Sequence, residues 1–163
     1  MSRLESFINR MTAQKILLEH VAEVIGDVTG PILELGLGNG RTYDHLRQIF
    51  PGCEIFAFDR VLVAHPACIP DAHHMIFGEI RETLAFCAPR IGGPAAFVHC
   101  DLGSGDPTMD LATGAWLAPM IVQVLQPGGH VLSGLELGHD SLETLALPPQ
   151  IRPGRYFHYR KTG

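Results

Sequence analysis

The sequence predicts an α/β fold: one domain built on a doubly wound, mainly parallel sheet. Three observations carry that reading. Short apolar runs of strand length alternate with stretches of helical period from residue 31 onward. A glycine-rich turn, GLGNG, joins the first of those runs to a helix. Finally, 163 residues of which 46% are hydrophobic can bury one core but leave no room for a second domain.

Taken in order, residues 4 to 26 bring Leu4, Phe7, Ile8, Met11, Ile16, Leu17, Val21, Val24 and Ile25 close to helical spacing. Gly26 and Gly30 punctuate the end, so one or two helices open the chain. Residues 1–30 are expected to form a cap or lid, around Arg10, Met11 and Gln14, in front of an α/β core over 31–163. Pro31 to Leu35 reads as a short buried strand, and the glycines turn it into a helix from Arg41 to Phe50 that Pro51 and Gly52 stop. Residues 54–59, EIFAFD, supply strand two.

From Arg60 to Ala72, Pro66 and Pro70 interrupt a stretch with no amphipathic period, which predicts a loop with a short helical turn instead of a full crossover helix. Strand three is His74 to Phe77, followed by a helix from Glu79 to Ala88. AAFVHC, 95–100, is strand four. A long helix over 107–125 carries Pro119 as a kink. QPGGHVLSG then supplies a turn and a fifth strand near 130–135, and RYFHYRK alternates as a last strand, 155–161. That ending looks too short for two full strands. The reading is a truncated sheet edge that a second copy completes, hence a homo-oligomer.

The formal net charge is -5, and the 12 Lys and Arg residues are spread along the chain. This argues against a nucleic-acid partner and against a polybasic membrane anchor. No apolar run reaches the roughly 18 residues of a membrane span, and the N-terminus lacks a signal-peptide apolar region. The expectation is a soluble, cytoplasmic protein with a small-molecule partner. Cys53, Cys68, Cys87 and Cys100 form no CxxC pair and read as reduced thiols. Of nine histidines only His73 and His74 are close neighbours. Adjacent strand residues face opposite ways, so no metal is expected.

Gly36, Gly38 and Gly40 let main-chain amides approach a ligand with no Cβ in the way. A dinucleotide fingerprint would read GxGxxG, whereas Gly36-Leu37-Gly38-Asn39-Gly40-Arg41 reads GxGxG, and no GxxxxGK[ST] phosphate loop occurs. Glu34 just before the loop would repel a pyrophosphate. A carboxylate beside a bare loop suits a zwitterion better, with the acid near an ammonium and the amides near a carboxylate.

ELGLGNGRT resembles motif I, E/DxGxGxG, of the class I S-adenosylmethionine-dependent methyltransferases, and later features fall in that family's order. Asp59 ends strand two, Gly78-Glu79 closes strand three, HCDLGSGD closes strand four, and LQPGGHVLSG leads into strand five. The resemblance spans roughly residues 31 to 135. It implies a Rossmann-like methyltransferase fold and a cofactor, S-adenosyl-L-methionine. It further implies methyl transfer to an oxygen or nitrogen of a small-molecule acceptor.

By the same resemblance, Glu34 serves the methionine ammonium, directly or through water, and Gly36, Leu37, Gly38 and Gly40 lie against the cofactor. Asp59, with Arg60 behind it, takes the ribose hydroxyls; Gly78, Glu79 and Ile80 meet the adenine. Asp101, at the active end of strand four, touches cofactor and acceptor as base or orienting group. Each acid also has a plain reading. Glu34 or Asp101 could bond loop amides, Asp59 could cap the segment after strand two, and Glu79 could start a helix. His99 reads as a satisfied core histidine, while Tyr43, Asp106 and His139 border the acceptor by position alone.

Strand four carries neither the Asn/Asp-Pro-Pro-Tyr of amino-methylating nucleic-acid enzymes nor the Pro-Cys of cytosine-C5 enzymes. The tail IRPGRYFHYRK interleaves cations with aromatics and suits either an acidic acceptor or a charged edge strand. Two rival readings stand beside the methyltransferase: a nicotinamide-dependent oxidoreductase on the same fold, and a non-catalytic module that binds S-adenosylmethionine.

Overall fold

The computed structural model describes residues 1–163. One helix, α1 (Arg3–Val24), spans the whole N-terminal stretch. A capping box starts it: the Ser2 hydroxyl accepts from the Glu5 amide at 3.1 Å, and the Glu5 carboxylate accepts from the Ser2 amide at 2.6 Å. Its inner stripe is Gln14, Leu17, Leu18 and Val21.

The core then runs β1 (Ile32–Leu35), α2 (Arg41–Ile49), β2 (Ile55–Asp59), a 3₁₀ turn (Pro66–Cys68), β3 (Met75–Phe77), α3 (Ile80–Phe86), α4 (Ala88–Ile91) and β4 (Ala95–Cys100). It ends with α5 (Pro107–Val124), β5 (Leu125–Ser133), β6 (Leu142–Leu145) and β7 (Phe157–Lys161). The sheet order is β3-β2-β1-β4-β5-β7-β6. Strands β1 to β5 pair in parallel, and β7 runs antiparallel between β5 and β6.

Helices cover both faces. Leu33, Leu35 and Val98 pack toward Leu84, Leu117 and Ile121 of α3 and α5, whereas Ile32 and Phe97 pack toward Leu17, Leu18 and Leu46 of α1 and α2. Being buried on both faces, β1 and β4 read as near-continuous apolar runs, interrupted by Glu34 and His99. The order reverses between β1 and β4, which opens a crevice at their carboxyl ends.

Several boundaries differ from the sequence reading. The C-terminal edge is not truncated: β6 pairs with β7 from Leu142–Lys161 to Leu145–His158, so the chain completes its own seven-stranded sheet. The incomplete edge that motivated self-association is therefore absent. Strand β6 escaped notice because its four residues, buried only at Leu142 and partly at Leu145, show no alternation. The helix expected over 79–88 breaks at Cys87, with Pro89 in the first turn of α4. Strand β5 begins at Leu125, because the PGG segment sits inside it where the register with β4 shifts between Ala95 and Phe97. Between β2 and β3 only the 3₁₀ turn occurs, as Pro66 and Pro70 predict.

Candidate active site

The turn from β1 to α2 needs glycine for three separable reasons. Gly36, Gly38 and Gly40 all have positive φ, at 90°, 51° and 86°. A Cβ at Gly36 would stand 3.0 Å from the Asp101 carbonyl oxygen, so this glycine lets the exit of β4 close against β1. At Gly40 it would meet the Cβ of Cys68 at 2.6 Å, so the loop before β3 rests there. At Gly38 nothing lies within 4 Å. That face of the turn opens into a cleft of about 610 Å³ at the carboxyl ends of β1, β2 and β4.

Gly36, Leu37, Gly38, Gly40, Asp59, Arg60, Glu79, Ile80 and Asp101 all line this cleft. Gly40 caps α2 with no side chain, which leaves the first amides of the helix without a side-chain acceptor. Asp59 is already engaged. Its Oδ2 accepts from the amides of Leu37 and Gly38 at 2.9 and 3.1 Å, and its Oδ1 from Arg60 at 2.7 Å. The carboxylate therefore pins the glycine turn from below. Gly78, with φ 141°, ends β3, and the neighbouring Glu79 faces Arg60 Nη1 at 3.5 Å. Glu79 precedes α3 without capping it through its side chain, and Gly78 itself does not line the cleft.

Glu34 lies one layer deeper. It is fully buried, opposite His99 in the register of β1 and β4. Its Oε1 accepts from the Thr42 hydroxyl at 2.9 Å and meets His99 Nδ1 at 2.9 Å. Thr42 lines the cleft and Glu34 does not. Burial alone would press the His99 pKa down, but the Glu34 carboxylate, by charge and hydrogen bond, lifts it above the ordinary imidazole value. His99 is thus a satisfied core residue.

Asp101 projects from the end of β4 into the cleft, exposed, and its Oδ2 accepts from Gln14 Nε2 at 3.0 Å. Gln14 is the residue that sequence reasoning undervalued. Only 3% exposed, it has its amide orientation set by the carboxylate it serves, which leaves Oε1 buried without a protein partner. Its signal was a polar side chain within the inner stripe of α1. Arg10, Met11 and Gln14 together form one wall of the cleft, so α1 does stand beside it. Cys100, next to Asp101, takes no part, since burial pushes its thiol up to about 12.

Three positional candidates fall away from the cleft. Tyr43 is buried in the core against α1, Asp106 caps α5 through the amides of Thr108 and Met109, and His139 Nδ1 accepts from the Ser141 amide. Nor do His73 and His74 face opposite ways across a strand, because both precede β3 instead of lying within it. Their rings meet edge to face, and with Glu54 they form a surface group whose ligand atoms lie within 4.8 Å of one another. In it the carboxylates of Asp71 and Glu54 engage the two ring nitrogens of His74.

An acid-flanked turn of bare main chain suits a zwitterionic nucleoside and repels a pyrophosphate. The open face at Gly38 gives such a ligand room, so the residues present fit S-adenosylmethionine. Fold and cleft together define a class I S-adenosylmethionine-dependent methyltransferase. The family is more particular: the chain belongs to the S-adenosyl-L-methionine methyltransferase family, whose model matches residues 1–161.

A crystal structure of an S-adenosyl-L-methionine methyl transferase from Silicibacter pomeroyi DSS-3 is similar at 42% identity and TM-score 0.90, over 99% of both chains. The fold also matches the glycopeptide N-methyltransferase MtfA complexed with sinefungin, at 22% identity and TM-score 0.52, covering 91% of this chain and 66% of that one. TrmN from Thermus thermophilus matches at 13% identity and TM-score 0.61, covering 90% of this chain and 48% of that one. No curated protein matches the sequence. The protein is an S-adenosylmethionine-dependent methyltransferase, and the nicotinamide and non-catalytic readings are set aside. No helix is long and apolar enough to cross a membrane.

Proposed function

We propose that the protein methylates an oxygen or nitrogen of a small-molecule acceptor, with Asp101 removing or orienting the acceptor's proton. Bound S-adenosylmethionine supplies an electrophilic methyl on a sulfonium. The chain's task is then alignment, exclusion of water and handling of one proton. The observation that carries this reading is Asp101 itself: a carboxylate at the carboxyl end of β4, open to the cleft, with one oxygen held by buried Gln14.

On the cofactor side, the main chain of Gly36, Leu37, Gly38 and Gly40 would lie along the methionine part. Glu34 acts from beneath by orienting Thr42. Asp59 would exchange an amide bond for a ribose hydroxyl, with Arg60 alongside, and Gly78, Glu79 and Ile80 would border the adenine.

Asp101→Asn tests the proposal. The variant should still bind S-adenosylhomocysteine by calorimetry. Its release of that product against a panel of small hydroxyl and amine acceptors should drop by about 10²–10⁴. Unchanged turnover would remove the role of Asp101. Turnover with an RNA substrate and with no small acceptor would remove the small-molecule reading.

A further inference from the structure

Half of the chain's 12 Lys and Arg residues are spoken for. Lys15, Arg47, Arg60 and Arg160 face carboxylates, and Arg90 and Lys161 donate to main-chain carbonyls. Arg3 apart, the remaining guanidinium groups are Arg10, Arg41, Arg81, Arg152 and Arg155, and each lines either the cleft or a second cavity that abuts it. Arg41 and Arg81 lie over the rings of Phe7 and Trp116.

The second cavity, about 370 Å³, lies between α1 and the segment joining β6 to β7. Arg10, Arg152, Arg155 and Tyr156 line it, no Asp or Glu does, and Arg10 is the residue it shares with the cleft. In a protein of net charge -5, three guanidinium groups around one acid-free cavity create a field that an anion would relieve. The cavity is also tied to the reaction centre. Arg10 precedes Gln14 by one helical turn, about 6 Å along the axis, and Gln14 holds Asp101. The Tyr156 hydroxyl, 3.5 Å from the Arg10 carbonyl, fastens the far wall to α1.

We propose that this cavity is the acceptor's anion subsite. The acceptor carries a carboxylate or phosphate, gripped by Arg10, Arg152 and Arg155. Guanidinium forks bind either oxyanion through paired N–H donors, and Arg10 keeps its edge free while its face lies over Phe7. Arg10, Arg152 and Arg155 converge on one cavity of about 370 Å³, a size that suits a compact anion better than a nucleic-acid backbone. The proposal rests on the methyltransferase reading of the cleft.

The test is calorimetry at low ionic strength, titrating inorganic pyrophosphate and, separately, succinate into parent protein and into the Arg152→Gln, Arg155→Gln double variant. Both substituted residues are exposed, so folding is not at stake. One of the two anions should bind the parent at a single site, and its affinity should weaken at least about tenfold in the double variant. S-adenosylhomocysteine affinity should stay the same. Which anion binds distinguishes a phosphorylated from a carboxylated acceptor. Binding of neither anion, equal binding by both proteins, or binding only of single-stranded RNA would overturn the proposal. Failure of S-adenosylhomocysteine to bind the parent would instead sink the cofactor reading, and the anion titration is read independently of it.

Discussion

A methyl group added at Gly38 or at Gly40 separates what the glycine turn does for the fold from what it does for the ligand. Both residues have positive φ, a conformation that costs an L-residue about 1–2 kcal/mol. For Gly38→Ala that is the whole cost, since the new Cβ meets nothing within 4 Å. For Gly40→Ala the Cβ would stand 2.6 Å from the Cys68 Cβ and 3.0 Å from its carbonyl oxygen. Overpacking of this kind adds about 1–3 kcal/mol, giving roughly 2–5 kcal/mol altogether. Urea denaturation of the two variants should show that ranking. S-adenosylhomocysteine binding should show the reverse, with Gly38→Ala losing at least about tenfold in affinity because its methyl enters the open cleft. Folded Gly40→Ala should bind more nearly like the parent. If Gly38→Ala binds as tightly as the parent, the cofactor does not lie along this turn.

Two further predictions concern buried titratable groups. Glu34→Ala strands His99 and the Thr42 hydroxyl and should cost about 3–5 kcal/mol. Because Glu34 raises the His99 pKa, the pair's stabilisation is complete below the ordinary value of 6.5 and fades as pH rises through the higher folded-state value. Chemical denaturation from neutral to alkaline pH should show that decline in the parent and none of it in Glu34→Ala. His158 has the opposite sign. Burial, with His130 close by, pushes its pKa down to about 3, so the unfolded chain takes up a proton near 6.5 that the folded one refuses. Stability should fall by about 1.4 kcal/mol per pH unit on acidification below that point. His158→Gln should flatten the slope, and an unchanged acid limb would refute the assignment.

Much of the architecture was legible because its signals are local. Strands β1, β2 and β4 are short, mainly apolar runs, the GLGNG turn needs positive φ within five residues, and Pro66 and Pro70 forbid a crossover helix where they stand. Strand β6 was not legible. Four residues without alternation become a strand only when β7 offers them a ladder. His73 and His74 were misjudged because their facing depends on where β3 begins.

The sequence by itself determined the parallel part of the sheet, the glycine turn and the set of acids at the strand ends, because each is written in a short window of spacing and chirality. The tertiary structure alone decided what each acid does. Glu34 turns to His99, 65 residues away, and Asp101 is held by Gln14, 87 residues away. Arg10 joins Arg152 and Arg155 only once α1 lies beside the last loop. Hydrogen bonds and fields act through distances of a few ångströms, and no pattern along a chain records which remote side chains will close to that range.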